Sequence, residues 1–446
     1  MKVKIQQGSE EINSIGGISL IGGLLNSLKS LKKIDLIQMT KIKTGKIQHS
    51  DILKTIVGLF SLGKNDYADV TPFCNDKFFC DSLELSAVPS EETLRQRLDD
   101  IAQDQEVPAV IQLSNVELLE KVPCFGTEKS THGEYIPLDI DVSPLDNSGS
   151  KKEGVSWTYK SHDGYAPIFA YIGTHGYMLN CELRPGSQHS NKNALEFISH
   201  TLDMVEKLGI DLKTILVRLD SAHDSTEIIE ELLKRGVAFI IKRNLRNESK
   251  EQWLSLARRV GESKSPREGK TIFTGEASHI KVAGREDLMP IFAVFEVIER
   301  TIDKHGQKLL IPDIEVNTFW TILPDKAQVV IGLYHNHGTS EQYHSELKSD
   351  LDFERLASGK FATNALLLLL AMIAFNALRL LGQSALEMKE ILPRKFKVKR
   401  RRLRSVIQDL IYLACKRTRH SGSIFLKFGR HCPWFNVFRQ LHVMFC

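Results

Sequence analysis

Tyr334-His-Asn-His337-Gly-Thr-Ser-Glu341-Gln-Tyr-His-Ser-Glu346-Leu-Lys348 is the stretch on which the reading of this chain turns. Wound as one helix at about 100° per residue, it brings Tyr334, His337, Glu341 and Lys348 into a single stripe about 60° wide. Glu346 points well away from that stripe, so the two glutamates are not equivalent. A carboxylate held between an aromatic hydroxyl and a lysine suits a cation and a phosphate backbone together. The alternative is a solvated amphipathic helix with scattered polar residues, and two aspartates upstream tip the balance.

The first upstream signal is a change of period. From Glu134 apolar residues alternate: Leu138, Ile140 and Val142 share one strand face, and Asp139 and Asp141 share the other. Asp is depleted in strands, so two of them there belong at an edge or bind something. Ile168–Ile172 and Gly176–Leu183 read as a hairpin about Gly173-Thr-His-Gly176. A helix over 193–208, an apolar strand 214–220 ending in Asp220, a helix 225–235 and a strand 237–242 follow. Strands that pair antiparallel and then alternate with helices predict a mixed α/β (α+β) sheet.

Around this core the chain divides into a helical N-terminal domain (1–128), the first part of the core (129–245), a β-rich insertion (246–325), the helix with Glu341 (326–382) and a basic C-terminal region (383–446). In the first of these, helices are expected over 18–36 and 48–62, and Ser90 caps a helix with Glu91 and Glu92 in its first turn. Arg95 and Arg97 on that helix are candidates for DNA contact. In the insertion, β signals lie at 271–273, 279–283, 290–298 and 316–323. The apolar run Ala365–Phe375 is too short to cross a bilayer, which takes about 20 residues, and reads as a buried core helix over 362–382 with no membrane role.

Charge is unevenly placed. From Ile391 to Cys446 there are 14 Lys/Arg against one acid, Asp409, so this tail carries +13 and the first 390 residues −9 of the net +4. Such a tail points to a polyanion, and Lys395, Lys397, Lys399, Arg400, Arg401 and Arg402 are its candidate DNA contacts. The seven cysteines form no C-x-x-C pair, and the first residues lack the apolar run of a signal peptide. A reducing, cytoplasmic setting is expected.

Asp139 or Asp141, Asp220 and Glu341 together make a carboxylate set. Three carboxylates at one point repel unless divalent cations neutralise them, and two Mg²⁺ about 4 Å apart activate water or a 3′-hydroxyl for phosphoryl transfer. Arg184 in the turn Arg184-Pro-Gly is a candidate phosphate contact. Trp157 and Tyr159, after Lys151-Lys152, suit either stacking on an exposed base or burial at a domain seam.

Tyr334-x2-His337-x3-Glu341-x6-Lys348 resembles the Y-x2-R-x3-E-x6-K signature of bacterial insertion-sequence transposases of the DDE superfamily. Leu138-Asp-Ile-Asp141-Val-Ser143, Leu183-Arg-Pro-Gly186, Val217-Arg-Leu-Asp220-Ser and Phe425-Leu-Lys-Phe-Gly-Arg430 also resemble stretches of those proteins. The resemblance implies an RNase H-like catalytic core with a β insertion before the glutamate, two Mg²⁺ (Mn²⁺ substituting), and cleavage and joining of transposon-end and target DNA by a homodimer. By position Asp220 and Glu341 match the second and third catalytic acids and metal ligands. Asp141 matches the first, with Ser143 two residues on, although Asp139 shares its face and stays the alternative. Tyr334 and Lys348 would contact end DNA. His337 stands where the signature has arginine; lacking arginine's bidentate phosphate contact, it is expected to bind DNA more weakly or pH-dependently. A nuclease of the same fold and a catalytically retired DNA-binding relative are the alternatives.

Overall fold

Alternating and continuous apolar runs become one large sheet. Its strands are β1 (Glu134–Val142), β2 (Ile168–Ile172), β3 (Tyr177–Glu182), β4 (Ile215–Leu219), β5 (Ala238–Arg243), β6 (Glu262–Arg267), β7 (Lys270–Ala277), β8 (Phe292–Ile302) and β9 (Lys308–Thr321). They lie in the order β6-β7-β8-β9-β5-β4-β1-β2-β3, and Glu128–Lys129 adds a short tenth strand to β1. β1, β4 and β5 run parallel, while β2 is antiparallel to β1 and β3 to β2. Helices Ala194–Lys207 and Thr226–Lys234 make the crossovers that parallel pairing requires. The order β3-β2-β1-β4-β5 is the RNase H-like arrangement that the resemblance implied. The computed structural model describes residues 3–37, 46–277, 291–421 and 423–446.

The β-rich segment extends that sheet, because β9 pairs antiparallel with β5 along Ile240–Arg243. One hydrophobic cluster joins Leu216, Ile240, Val294, Phe319 and Val330, and so unites core, insertion and the helix Ala327–His335. The segment also contains a helix that β signals obscured, Lys250–Val260. Ser249 caps it through the Glu251 and Gln252 amides, and Trp253, Leu254 and Ala257 form its buried face. The β signal at 279–283 and Pro290 of the next lie outside the described residues.

Two compact units result. One comprises Cys124–Pro144 and Ala166–Tyr343, and contains the large sheet; the other comprises Met1–Pro123, Leu145–Tyr165 and His344–Cys446. The units thus cut across the five sequence segments. In the second, His49–Ser61, Glu91–Ile101 and Val107–Leu119 pack around Phe361–Glu387. The latter is 27 residues long, six more than the apolar periodicity indicated. By length and composition it passes as a membrane span, yet 94% of its most apolar window is buried in protein. Asn376 sits mid-helix and is satisfied by donating to Asn115 Oδ1 at 2.7 Å. The single helix expected over 18–36 is instead Ile18–Asn26, Lys29–Lys33 and a 3₁₀ turn Ile34–Leu36.

The basic C-terminal region is folded into this second unit. Cys415–His420 and Ser423–Phe428 form a hairpin joined by Ile12–Asn13, and the helix Phe435–Phe445 follows. Its arginines neutralise buried acids. Glu346 accepts from Arg379 at 2.8 Å, from Arg400, and from the Leu403 amide at 3.0 Å. Burial would raise the Glu346 carboxyl, but the Arg379 and Arg400 guanidinium groups outweigh it and hold it below its usual value. Stability from this cluster is therefore fully present above the unfolded value near 4.5 and is lost as the pH falls through the lower folded one. Glu346→Gln is expected to remove about 3 kcal/mol or more, because it leaves Arg379 buried without a counter-charge. Urea unfolding midpoints at pH 7 and pH 4 check this: a wild-type and variant difference that does not shrink in acid would contradict it.

Candidate active site

β1 and β4 are adjacent parallel strands paired from Ile136↔Ile215 to Ile140↔Leu219. One residue beyond the last pair, Asp141 and Asp220 stand side by side at the carboxyl ends of the two strands. Asp220 ends its strand by capping the 3₁₀ turn Ser221–His223, accepting from the Ala222 amide at 3.1 Å. Its Oδ1 also lies 2.7 Å from Nδ1 of the fully buried His223, while the carboxylate remains 41% exposed. Asp141 is half-buried, and its Oδ1 accepts from the Val142 amide at 2.8 Å.

Asp139 has a different environment, one strand step away. It lies opposite Arg218 in register, and that guanidinium grips it with two bonds, Nε–Oδ1 at 2.5 Å and Nη2–Oδ2 at 2.7 Å. Nη1 of Arg218 donates to Glu128 at 2.9 Å and to the Leu333 carbonyl at 2.7 Å. His337 Nδ1 completes the cluster at 2.9 Å from Asp139 Oδ1. Burial alone would raise the Asp139 carboxyl and depress the His337 imidazole. The opposite charges win in both cases, so Asp139 is held below its usual value and His337 above its own. The expectation that His337 meets DNA is thereby corrected: it is a buried partner of Asp139. Arg218 and Glu128 were missed by the sequence reading, although a charged residue inside the apolar run Ile215–Leu219 was a signal that a buried partner existed.

Tyr334 packs on Phe319 with ring centroids 4.7 Å apart and lies 5.7 Å from the His337 ring. Burial first, then the negative charges of Asp220, Asp141 and Asp139, push its hydroxyl well up. That phenol is therefore a protonated hydrogen-bond donor beside the aspartates. The single helix expected over 334–348 is not uniform. The α-helix ends at His335, Asn336–Thr339 tightens to 3₁₀, Ser340–Ser345 returns to α, and Glu346–Asp350 widens to a π turn. Glu341 is exposed in the first turn of Ser340–Ser345. Among the described residues no three His, Cys, Asp or Glu side chains gather to hold a metal ion. The aspartate pair is a hard, partly exposed oxygen donor set that fits a divalent cation, with Glu341 outside it.

Comparison with known proteins gives this geometry its context. The family model for the transposase DDE domain, group 1, matches residues 1–445. The chain is a DDE transposase. It is accordingly a DNA transposase, an enzyme of phosphodiester hydrolysis and transesterification. Among solved structures, a cryo-EM structure of the piggyBac transposase synaptic complex with hairpin DNA is similar at a TM-score of 0.42 and 9% identity, over 90% of this chain and 80% of that one. No curated protein matches the chain.

Several residues of the transposase that were expected at DNA have internal work instead. Arg184 is buried, with Nε 2.7 Å from Glu182, Nη1 3.1 Å from the Ser190 carbonyl and Nη2 3.2 Å from the Asn193 carbonyl, so it secures a turn rather than a phosphate. Arg401 is buried against Asp409 and lies 4.5 Å over the Trp434 ring. Arg400 is committed to Glu346, and Arg402 binds both oxygens of Asp350 at 2.9 Å. These three look like phosphate contacts because their charge is visible in sequence and its pairing with a particular acid is not. Lys395, Lys397 and Lys399 are exposed. Arg95 is exposed and paired with Glu92 one turn before it, whereas Arg97 donates to the Ile47 carbonyl at 3.2 Å and lies 3.0 Å from His49. Lys348 is half-buried on the π turn.

Proposed function

We propose that this transposase cuts DNA at the ends of its own insertion sequence and joins the freed 3′ ends to target DNA, with Asp141, Asp220 and Glu341 as the catalytic carboxylates and ligands of two Mg²⁺ ions, Mn²⁺ substituting. The observation that carries the reading is the adjacency of Asp141 and Asp220 at parallel strand ends, with Asp139 already neutralised by Arg218. When bound, such ions supply a nucleophilic oxygen at neutral pH and stabilise the leaving oxygen. His223 and the Ala222 amide orient Asp220, and Tyr334 donates a hydrogen bond from its protonated phenol to a DNA phosphate. Glu341, one turn past His337 on the exposed side of its helix, completes the ligand set when DNA and metal are present. Lys348, Arg95 and the exposed Lys395, Lys397 and Lys399 neutralise backbone phosphates. Joining two ends calls for a homodimer on DNA, working in the cytoplasm at the bacterial nucleoid.

The test is Mg²⁺-dependent cleavage of a labelled fragment carrying the element's own end, wild type beside Glu341→Gln. Wild type is expected to cut at the end and later transfer label to a second DNA, while the variant binds without cutting. Equal cutting by both proteins would remove Glu341 from the site. Cutting without label transfer would leave a nuclease, and binding without cutting in Mg²⁺ and Mn²⁺ a retired enzyme.

A further inference from the structure

Tryptophan is scarce here, and its placement is uneven. Of four tryptophans, Trp253, Trp320 and Trp434 are buried, whereas Trp157 is 62% exposed. Tyr159, two residues on, is also 62% exposed, and Thr158 between them is 2% exposed. Trp157 ends the short strand Ser156–Trp157 and Tyr159 opens the turn Thr158–Ser161, so the two rings are exposed on either side of an inward Thr158. The segment lies in the connection between β1, which carries Asp141, and β2.

The rings are presented by a braced turn. Ser156–Trp157 pairs with Asp163–Gly164, and Gly164–Tyr165 pairs on its other side with Leu145–Asp146. The Thr158 amide and hydroxyl both donate to the His162 carbonyl, at 2.9 and 2.8 Å, and the Ser161 amide closes on the Thr158 carbonyl at 3.0 Å. Ser161 takes the left-handed conformation, φ 61°, that so tight a reversal needs. Beneath the turn, Tyr165 donates to the Glu153 carbonyl at 2.8 Å and accepts from Asn364 at 3.1 Å. Little conformational entropy is left to lose when a flat partner lands on these rings. Lys151 and Lys160, both exposed, flank them with positive charge.

From this geometry we infer that Trp157 and Tyr159 form a stacking site for unpaired nucleobases of the DNA on which the transposase acts. Two adjacent outward rings offer π faces to successive bases, a contact that does not depend on base identity, and the lysines suit the intervening phosphates. A base inside a duplex presents only its edge to such a ring, so the site selects melted or single-stranded DNA. This inference rests on the protein's action on DNA and not on the assignment of the carboxylates.

The experiment needs no cleavage and is done on the full chain in EDTA, so its failure is separable from failure of the metal-site reading. Because Trp157 is the exposed tryptophan, its emission reports directly. A short single-stranded oligothymidine is expected to quench it and to bind about tenfold more tightly than an abasic strand of the same length and charge, as one stacked base would give. Trp157→Ala and Tyr159→Ala should each lose most of that preference, and Trp157→Phe, which keeps a ring and the fold, should retain it. Equal binding of the abasic strand, equal quenching by an intact duplex, or unchanged binding by Trp157→Ala would each overturn the proposal. So would a change of oligomeric state in Trp157→Ala without DNA, which would assign the rings to a contact between copies.

Discussion

Asp141→Asn is expected to lower metal-dependent end cleavage by about three orders of magnitude, the kinetic equivalent of the several kcal/mol that a correctly held cation contributes. Its stability should stay within about 0.5 kcal/mol of wild type, because Asp141 is half-buried at a strand end. Asp139→Asn should do the reverse in order of severity. It leaves the Arg218 guanidinium and the raised His337 imidazole buried against a neutral amide, at a cost of about 3–5 kcal/mol. Folded Asp139→Asn protein should still cut. Urea unfolding and single-turnover cleavage on the same preparations separate the two aspartates, which no rate measurement on one variant alone can do. A stable, inactive Asp139→Asn beside an active Asp141→Asn would reverse the assignment.

Arg218→Met carries the second large effect. The guanidinium is buried and joins three elements: Asp139 on β1, Glu128 on the short strand beside it, and the Leu333 carbonyl near the end of the helix that bears Tyr334. Removing it confronts two carboxylates and leaves one of them buried without its main counter-charge, so a loss of about 3–5 kcal/mol is expected. Exchanging both partners, Arg218→Met with Asp139→Leu, should recover part of that loss, since a buried pair replaced by apolar residues is often close to neutral. A double-mutant cycle in urea measures the coupling, and additivity within about 0.5 kcal/mol would mean that the pair does not act as a unit. Because Arg218 also fixes the helix of Tyr334, the single variant should lose cleavage even at temperatures where it remains folded.

Local rules were enough for much of the architecture. Period-two alternation marked β1 and set Asp139 and Asp141 on one face; the apolar run ending in Asp220 marked β4; and Ser90 with two following acids marked the helix Glu91–Ile101. Such features are written within a few residues because they follow from backbone geometry and nearest neighbours. The same local view missed the helix Lys250–Val260, whose cap and apolar face lay between stronger β signals. It also assumed uniform winding over 334–348, where 3₁₀ and π turns intervene.

The sequence by itself therefore determined the core strands from Glu134–Val142 to Ala238–Arg243 and the helices between them, all set by spacing along the chain. Only the tertiary structure decided what each charge is for. Asp139 and Asp141 are indistinguishable by period, yet one faces Arg218, 79 positions away, and the other stands beside Asp220. Arg184, Arg400 and Arg401 look like phosphate ligands until carboxylates and carbonyls of the folded chain claim them, and Trp157 suits stacking or burial equally until the fold leaves it outside. The physical reason is that an ion pair or a burial is a relation between distant segments, and its sign and cost are settled only when the chain brings them together.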